Sequence, residues 1–205
     1  MKKTKTVPAK RKYGMPLHTH VLNIHLGAEL DDTVAPLTIA ADGSFDHRTG
    51  HGAYAWISER GRYRTGEVRN GDSVIAELTA LAEAVEYLSA ARAERAVILT
   101  DCRLAISAIA QVAGGAKAPK RNRAVRLATR VITASAGRDV EIRWVRGHAD
   151  HQLNNAADRL ANVEMCARRN AVDYDGVRKI RPQLQRYRDL IAKSLHTDLG
   201  YELVA

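Results

Sequence analysis

A chain of 205 residues, 45% of them hydrophobic, can bury one ordinary core; this excludes wholesale disorder and fits one domain with extensions better than two domains. A formal net charge of +9 points to a polyanionic partner, a phosphate backbone ahead of an anionic membrane, and no apolar run is long enough to span a bilayer. Cys102 and Cys166 are far apart with no further cysteine nearby, so both read as small reduced side chains of a cytoplasmic protein and not as a metal-ligand pair.

Residues 1–13 carry Lys2, Lys3, Lys5, Lys10, Arg11 and Lys12 without an acid, a flexible basic arm with no signal-peptide run behind it. Leu22, Ile24 and Leu26 alternate with polar neighbours and allow a short strand, which Asp31-Asp32 and Pro36 interrupt. We assign no function to residues 14–35 and take 1–35 as a basic N-terminal extension, 36–170 as the compact domain and 171–205 as a C-terminal extension. The first domain strand is Leu37–Ala41, followed by Asp42-Gly43-Ser44 as a turn signal. Gly52–Ile57 and Arg62–Val68 read as the next two strands, in hairpin order.

Asn70-Gly71-Asp72-Ser73 then supplies N-cap candidates for a helix in which Ile75, Leu78, Ala82, Val85 and Leu88 keep helical spacing. Ala96–Thr100 forms a strand closed by Asp101, and Leu104–Val112 a short helix. After the loop from Gly114 to Pro119 come a helix from about Lys120 to Ser135, a strand over Val140–Val145 and a helix from near Asn154. A further helix is expected around Pro182 to Leu195. The order βββαβααβα predicts an α/β fold with a mixed five-stranded sheet flanked by helices.

Four carboxylates, Asp42, Glu77, Asp101 and Asp158, lie on segments that this order can bring together. Asp42 and Asp101 close apolar strands, and functional groups of open α/β sheets gather beyond such strand ends. An oxygen-rich nest of this kind suits hard divalent cations. Each residue alone has a plainer reading. A strand-end Asp is commonly a turn or cap residue, Glu77 a first-turn acid and Asn154 an N-cap. The joint pattern outweighs them.

Asp42-Gly43-Ser44, Ala76-Glu77-Leu78, Thr100-Asp101, Val145–Ala149 and Asn154–Ala161 resemble, in order, the motifs of the ribonuclease H type 1 family, over roughly residues 37–170. The resemblance implies a ribonuclease H-like fold and cleavage of the RNA strand of RNA–DNA hybrids, leaving 5′-phosphates, with two Mg²⁺ ions (Mn²⁺ as a possible substitute) about 3.5–4 Å apart. It implies that Asp42 bridges both ions, that Glu77 and Asp101 hold the one near the leaving group, and that Asp158 holds the one near the attacking water. By the same resemblance His148 assists proton transfer or product release, for which an ordinary pKa near 6.5 is suited, and Asn154 contacts substrate beside the scissile phosphate. His151 fits the pattern in a less defined role.

Ser44, Ser73, Arg103, Arg123, Arg126, Arg130 and Asn154 are the expected substrate contacts. Lys117, Lys120, Arg121, Arg123, Arg126 and Arg130 occur without an acid, and the last three share a helical stripe. That is the place of the family's basic protrusion, shortened here and without its tryptophans. It reads as a reduced handle for phosphates, or more plainly as a solvated face. Where the family carries amides before the second carboxylate, this chain has Ser73 and Val74, and Arg103 stands where Gln is common, so hybrid discrimination leans on duplex shape and 2′-hydroxyls. His18, His20 and His25 lack the spacing of a zinc site. The rival readings are another nuclease of the superfamily acting on DNA and a noncatalytic hybrid-binding module; a monomer is the default.

Overall fold

The computed structural model describes residues 23–28, 33–116, 122–147, 151–170, 182, 185–186 and 188–193. Its elements in chain order are β1 (Asn23–Gly27), β2 (Leu37–Asp46), β3 (His51–Ser58), β4 (Tyr63–Val68), α1 (Ser73–Ala91), β5 (Arg95–Thr100), α2 (Arg103–Ala113), α3 (Arg123–Ser135), β6 (Asp139–Trp144) and α4 (Gln152–Asn170). They build a mixed six-stranded sheet in the order β1-β6-β5-β2-β3-β4. β2, β3 and β4 form an antiparallel meander, while β5 and β6 join β2 in parallel through helical crossovers. The α/β class and the mixed sheet agree with the sequence reading.

The sheet has one strand more than expected. The alternation around Ile24 and Leu26 forms β1, which pairs antiparallel with β6 and buries Leu26. Asp42-Gly43-Ser44 is also not a turn: β2 runs on through it to Asp46. The turn comes afterwards, where the Asp46 carboxylate accepts from the backbone amides of Arg48 at 2.9 Å and Thr49 at 3.3 Å.

Two apolar cores sandwich the sheet, and alternate residues of β2 divide between them. Leu37, Ile39 and Ala41 pack with the apolar stripes of α1, α2 and α3. Ala40 packs on the opposite face with Leu153, Ala156, Ala157 and Leu160 of α4. Ile191 and Ala192, in the helical stretch 188–193, complete that second core. Tyr63 donates to the Asp189 carboxylate at 2.7 Å, and Arg188 pairs with the buried Glu164, so the described part of the C-terminal segment packs on this face.

α1 starts where the sequence proposes, with Asp72 as N-cap accepting from the Ile75 amide at 3.0 Å. Gly43 explains how closely this helix approaches β2. A Cβ there would collide with backbone atoms of Ala76 and Glu77. Glycine at this point of the strand is required by close approach and not by a turn.

Candidate active site

The parallel register of β2 and β5 ends at Ala40 beside Leu99. Two residues further on, the two chains carry Asp42 and Asp101, so the register brings these carboxylates side by side. Glu77 arrives from the other direction, on the turn of α1 that rests on Gly43. Asp158 is half-buried on α4, which packs over β2 and β3. Four segments remote in sequence thus converge at one end of the sheet.

Electrostatics records the convergence. Asp42 is 6% exposed, and its carboxyl is pushed up to about 8 by burial first, then by the charges of Asp101 and Asp158. Burial, followed by Asp42 and Asp101, likewise raises Glu77 well above the usual carboxylate range. The Gly43 backbone N–H offsets part of both effects. Cys102, next to Asp101, is raised by its own burial and then by Glu77. Both effects favour the protonated thiol, the weakly nucleophilic form.

Glu77 is 8% exposed, and its Oε2 has no hydrogen-bond partner among the described residues. Stranded carboxylate oxygens that resist ionisation beside other carboxylates form a donor set whose missing component is positive charge. All the donors are hard oxygens, the chemistry of Mg²⁺ or Mn²⁺. Among the described residues no three His, Cys, Asp or Glu side chains are already gathered as a finished metal site. The residues fit divalent cations through their charge deficit and donor type.

The other expected residues fall into distinct surroundings. Asn154 precedes Asp158 by one helical turn, but it is 1% exposed and its Oδ1 has no partner among the described residues. His148 lies outside the described residues, as do Lys117, Lys120, Arg121, His18 and His20. The loop that leads to His148 nevertheless begins against the site, since a Cβ on Gly147 would fall on the Asp101 carboxylate. Asp101 is braced from behind, because the Trp144 Nε1–H donates to its backbone carbonyl at 3.0 Å. Arg103 lays its guanidinium over the Trp144 ring, 4.0 Å from the centroid.

Three hydrogen bonds were not expected from sequence. Ser44 donates from Oγ to Oδ1 of Asn162 at 2.8 Å, and Asn162 donates from Nδ2 to Oδ1 of Asp158 at 2.7 Å. His47, on the turn after β2, shares a 2.9 Å hydrogen bond with Ser73 while its ring meets Phe45 edge-on. Asn162 had a readable signal, its i+4 spacing from Asp158. The pairing of His47 with Ser73 had none.

The basic stripe is largely engaged within the protein. Arg123 donates to the backbone carbonyls of Arg69 and Asn70 and thereby supports the loop before α1. Arg130 binds Glu86 and Glu83 of α1 at 2.7 and 3.0 Å. Arg126 is exposed.

Comparison with known proteins gives one result throughout. The RNase H family model matches residues 35–165. A ribonuclease H of Pelobacter propionicus is 30% identical over 152 residues, covering 68% of this chain and 90% of that protein. A ribonuclease H of a Caulobacter species is 31% identical over 142 residues, covering 63% and 89%. Among solved structures, the N-terminal RNase H domain of a Mycobacterium tuberculosis protein, fused to maltose-binding protein, superposes with a TM-score of 0.53 at 19% identity. It covers 68% of this chain and all of that one, and supports the fold.

Proposed function

The chain belongs to the ribonuclease H family, and on that premise we propose that it is an endonuclease hydrolysing the RNA strand of RNA–DNA hybrids with two divalent cations, leaving 5′-phosphates. One observation carries the reading. Two buried carboxylates of the site, Asp42 and Glu77, are held among like charges and pushed toward protonation, an arrangement that costs stability unless cations occupy the site.

Bound Mg²⁺ or Mn²⁺ would supply the positive charge that activates water and stabilises the leaving 3′ oxygen. The protein's share is orientation. Asp42 and Asp101, fixed by strand register, present neighbouring oxygens, Glu77 adds its stranded Oε2 from α1, and Asp158 closes the set from α4. Asp42, central to the group, would be shared by both cations, Glu77 and Asp101 would hold the one on the leaving-group side, and Asp158 would hold the one on the water side. His148, on the loop that starts against Asp101, moves a proton or helps product leave. Ser44, Ser73, Arg103 and Asn154 are the substrate contacts of this reading, and Asn154, 1% exposed, must be uncovered to serve as one. Arg126, which is exposed, would be the member of the stripe that contacts phosphate, whereas Arg123 and Arg130 mainly support α1 and the loop before it.

The test is an end-labelled RNA–DNA hybrid incubated with Mg²⁺ and wild-type protein beside Asp42→Asn, with EDTA, single-stranded RNA and duplex DNA as controls. RNA-strand cuts ending in 5′-phosphates, lost in the variant and in EDTA, are expected. Cleavage of duplex DNA in their place would favour another nuclease of the superfamily. Salt-sensitive hybrid binding without cleavage in Mg²⁺ or Mn²⁺ would leave only a binding module.

A further inference from the structure

We propose that Asn162 is a positioning residue that sets the orientation of the Asp158 carboxylate, and that Ser44 acts through it. The proposal deepens the two-cation reading and rests on it. Its basis is a continuous hydrogen-bonded path, Ser44 Oγ to Asn162 Oδ1 and Asn162 Nδ2 to Asp158 Oδ1, at 2.8 and 2.7 Å.

Chemistry dictates the direction of this path. An ionised carboxylate can only accept, so the amide must turn its NH₂ toward Asp158. Its Oδ1 then faces Ser44, which must donate. The hydroxyl proton is committed, and Ser44 can offer substrate only lone pairs. Such an oxygen can receive a ribose 2′-hydroxyl but has no proton for a phosphate oxygen.

Geometry gives the path a purpose. β2 carries both Asp42 and Ser44 on the face toward α4, because the two residues are one strand repeat apart. Asn162 lies one helical turn beyond Asp158 on α4. The path therefore links the strand bearing one carboxylate to the helix bearing another, a separation of 118 residues in the chain. It also engages one Asp158 oxygen as acceptor, which restricts the rotation of the carboxylate and so of its second oxygen. Hydrogen bonds to metal-binding carboxylates act in this way elsewhere, and their loss weakens metal affinity by roughly 10- to 100-fold.

The experiment titrates the full chain with Mg²⁺ by calorimetry and with Mn²⁺ by paramagnetic resonance, without nucleic acid. It compares wild type, Asn162→Ala, Ser44→Ala and the double variant. Asn162→Ala should weaken cation binding about tenfold and Ser44→Ala about threefold, and the double variant should be no worse than Asn162→Ala, since the two residues act in series. Asn162 is an exposed helix position, so Asn162→Ala should keep the melting temperature of the wild type in EDTA. In hybrid cleavage the loss should fall on kcat at low Mg²⁺ and recover at high Mg²⁺, with KM unchanged. Unchanged cation affinity in Asn162→Ala would overturn the proposal, and so would additive losses in the double variant. If wild type binds cations and the variants behave as expected but hybrids are not cut, the nuclease reading alone falls. If wild type cuts hybrids while Asn162→Ala binds cations normally, the positioning role alone falls.

Discussion

The two faces of the sheet hold their carboxylates by different means. On the α1 side Glu77 is placed by packing, with helix backbone against Gly43 and no room for a single methyl group. On the α4 side Asp158 is placed by side chains, through Asn162 and Ser44, on a helix that further polar contacts tie down. A backbone contact between close-packed elements has one solution, whereas a hydrogen-bonded path can lengthen, flip or admit water. The α1 side should therefore fail abruptly when altered and the α4 side gradually.

The largest expected effect concerns Asp42, whose charge is coupled to carboxylates from both sides, Glu77 and Asp158. Folded and without metal, it keeps its proton up to about pH 8; unfolded, it releases it near pH 3.8. The folded state thus binds the extra proton between those limits, and metal-free stability should be full below the lower limit and decline as pH rises through the upper. Asp42→Asn should remove this decline and gain on the order of 3–5 kcal/mol in EDTA at pH 8, and almost nothing at pH 3.5, by urea denaturation. Mg²⁺ should stabilise wild type and leave the variant nearly unchanged. A flat profile for wild type would show that the cluster relaxes, and would weaken the contrast between the faces.

Gly43→Ala comes next. A methyl group here meets backbone of Ala76 and Glu77 and not a flexible tip, so a loss of about 3 kcal/mol is expected, with cleavage reduced further than stability explains. An active, stable Gly43→Ala protein would refute the packing account of Glu77. On the other face Glu164 is buried and accepts from Thr65, Arg168 and Arg188. Glu164→Gln keeps the shape and should cost about 2 kcal/mol by thermal unfolding, with activity falling only in proportion. Smallest is Arg130→Ala on α3. Its partners Glu83 and Glu86 are reached at a partly exposed surface, so less than about 1 kcal/mol should be lost, and high salt should erase the difference.

What the sequence reveals follows the same division. The meander, α1 and the strand ends at Asp42 and Asp101 are written locally, in alternation, helical spacing and a capping Asp72, and the order of elements makes the convergence of the carboxylates a deduction. Gly43 misleads because glycine after Asp ordinarily marks a turn, and the need for it arises from Ala76 and Glu77, which local sequence cannot show. The stripe of Arg123, Arg126 and Arg130 reads from sequence as a handle for phosphates because the partners of Arg123 and Arg130, the carbonyls of Arg69 and Asn70 and the acids Glu83 and Glu86, lie at least 44 residues away. β1 is short and isolated from the hairpins, so its alternation carried little weight until β6 supplied an edge to pair with.

That edge strand has a consequence for assembly. Asn23 on β1 accepts from the Trp144 backbone amide 121 residues later, and the Trp144 indole supports the Asp101 carbonyl. Pairing so distant in the chain carries a large loop-closure entropy and forms slowly. β1, made well before β6, must therefore wait until β6 emerges. The first strand among the described residues is thus among the last to dock, and it is the one that seals the wall behind Asp101.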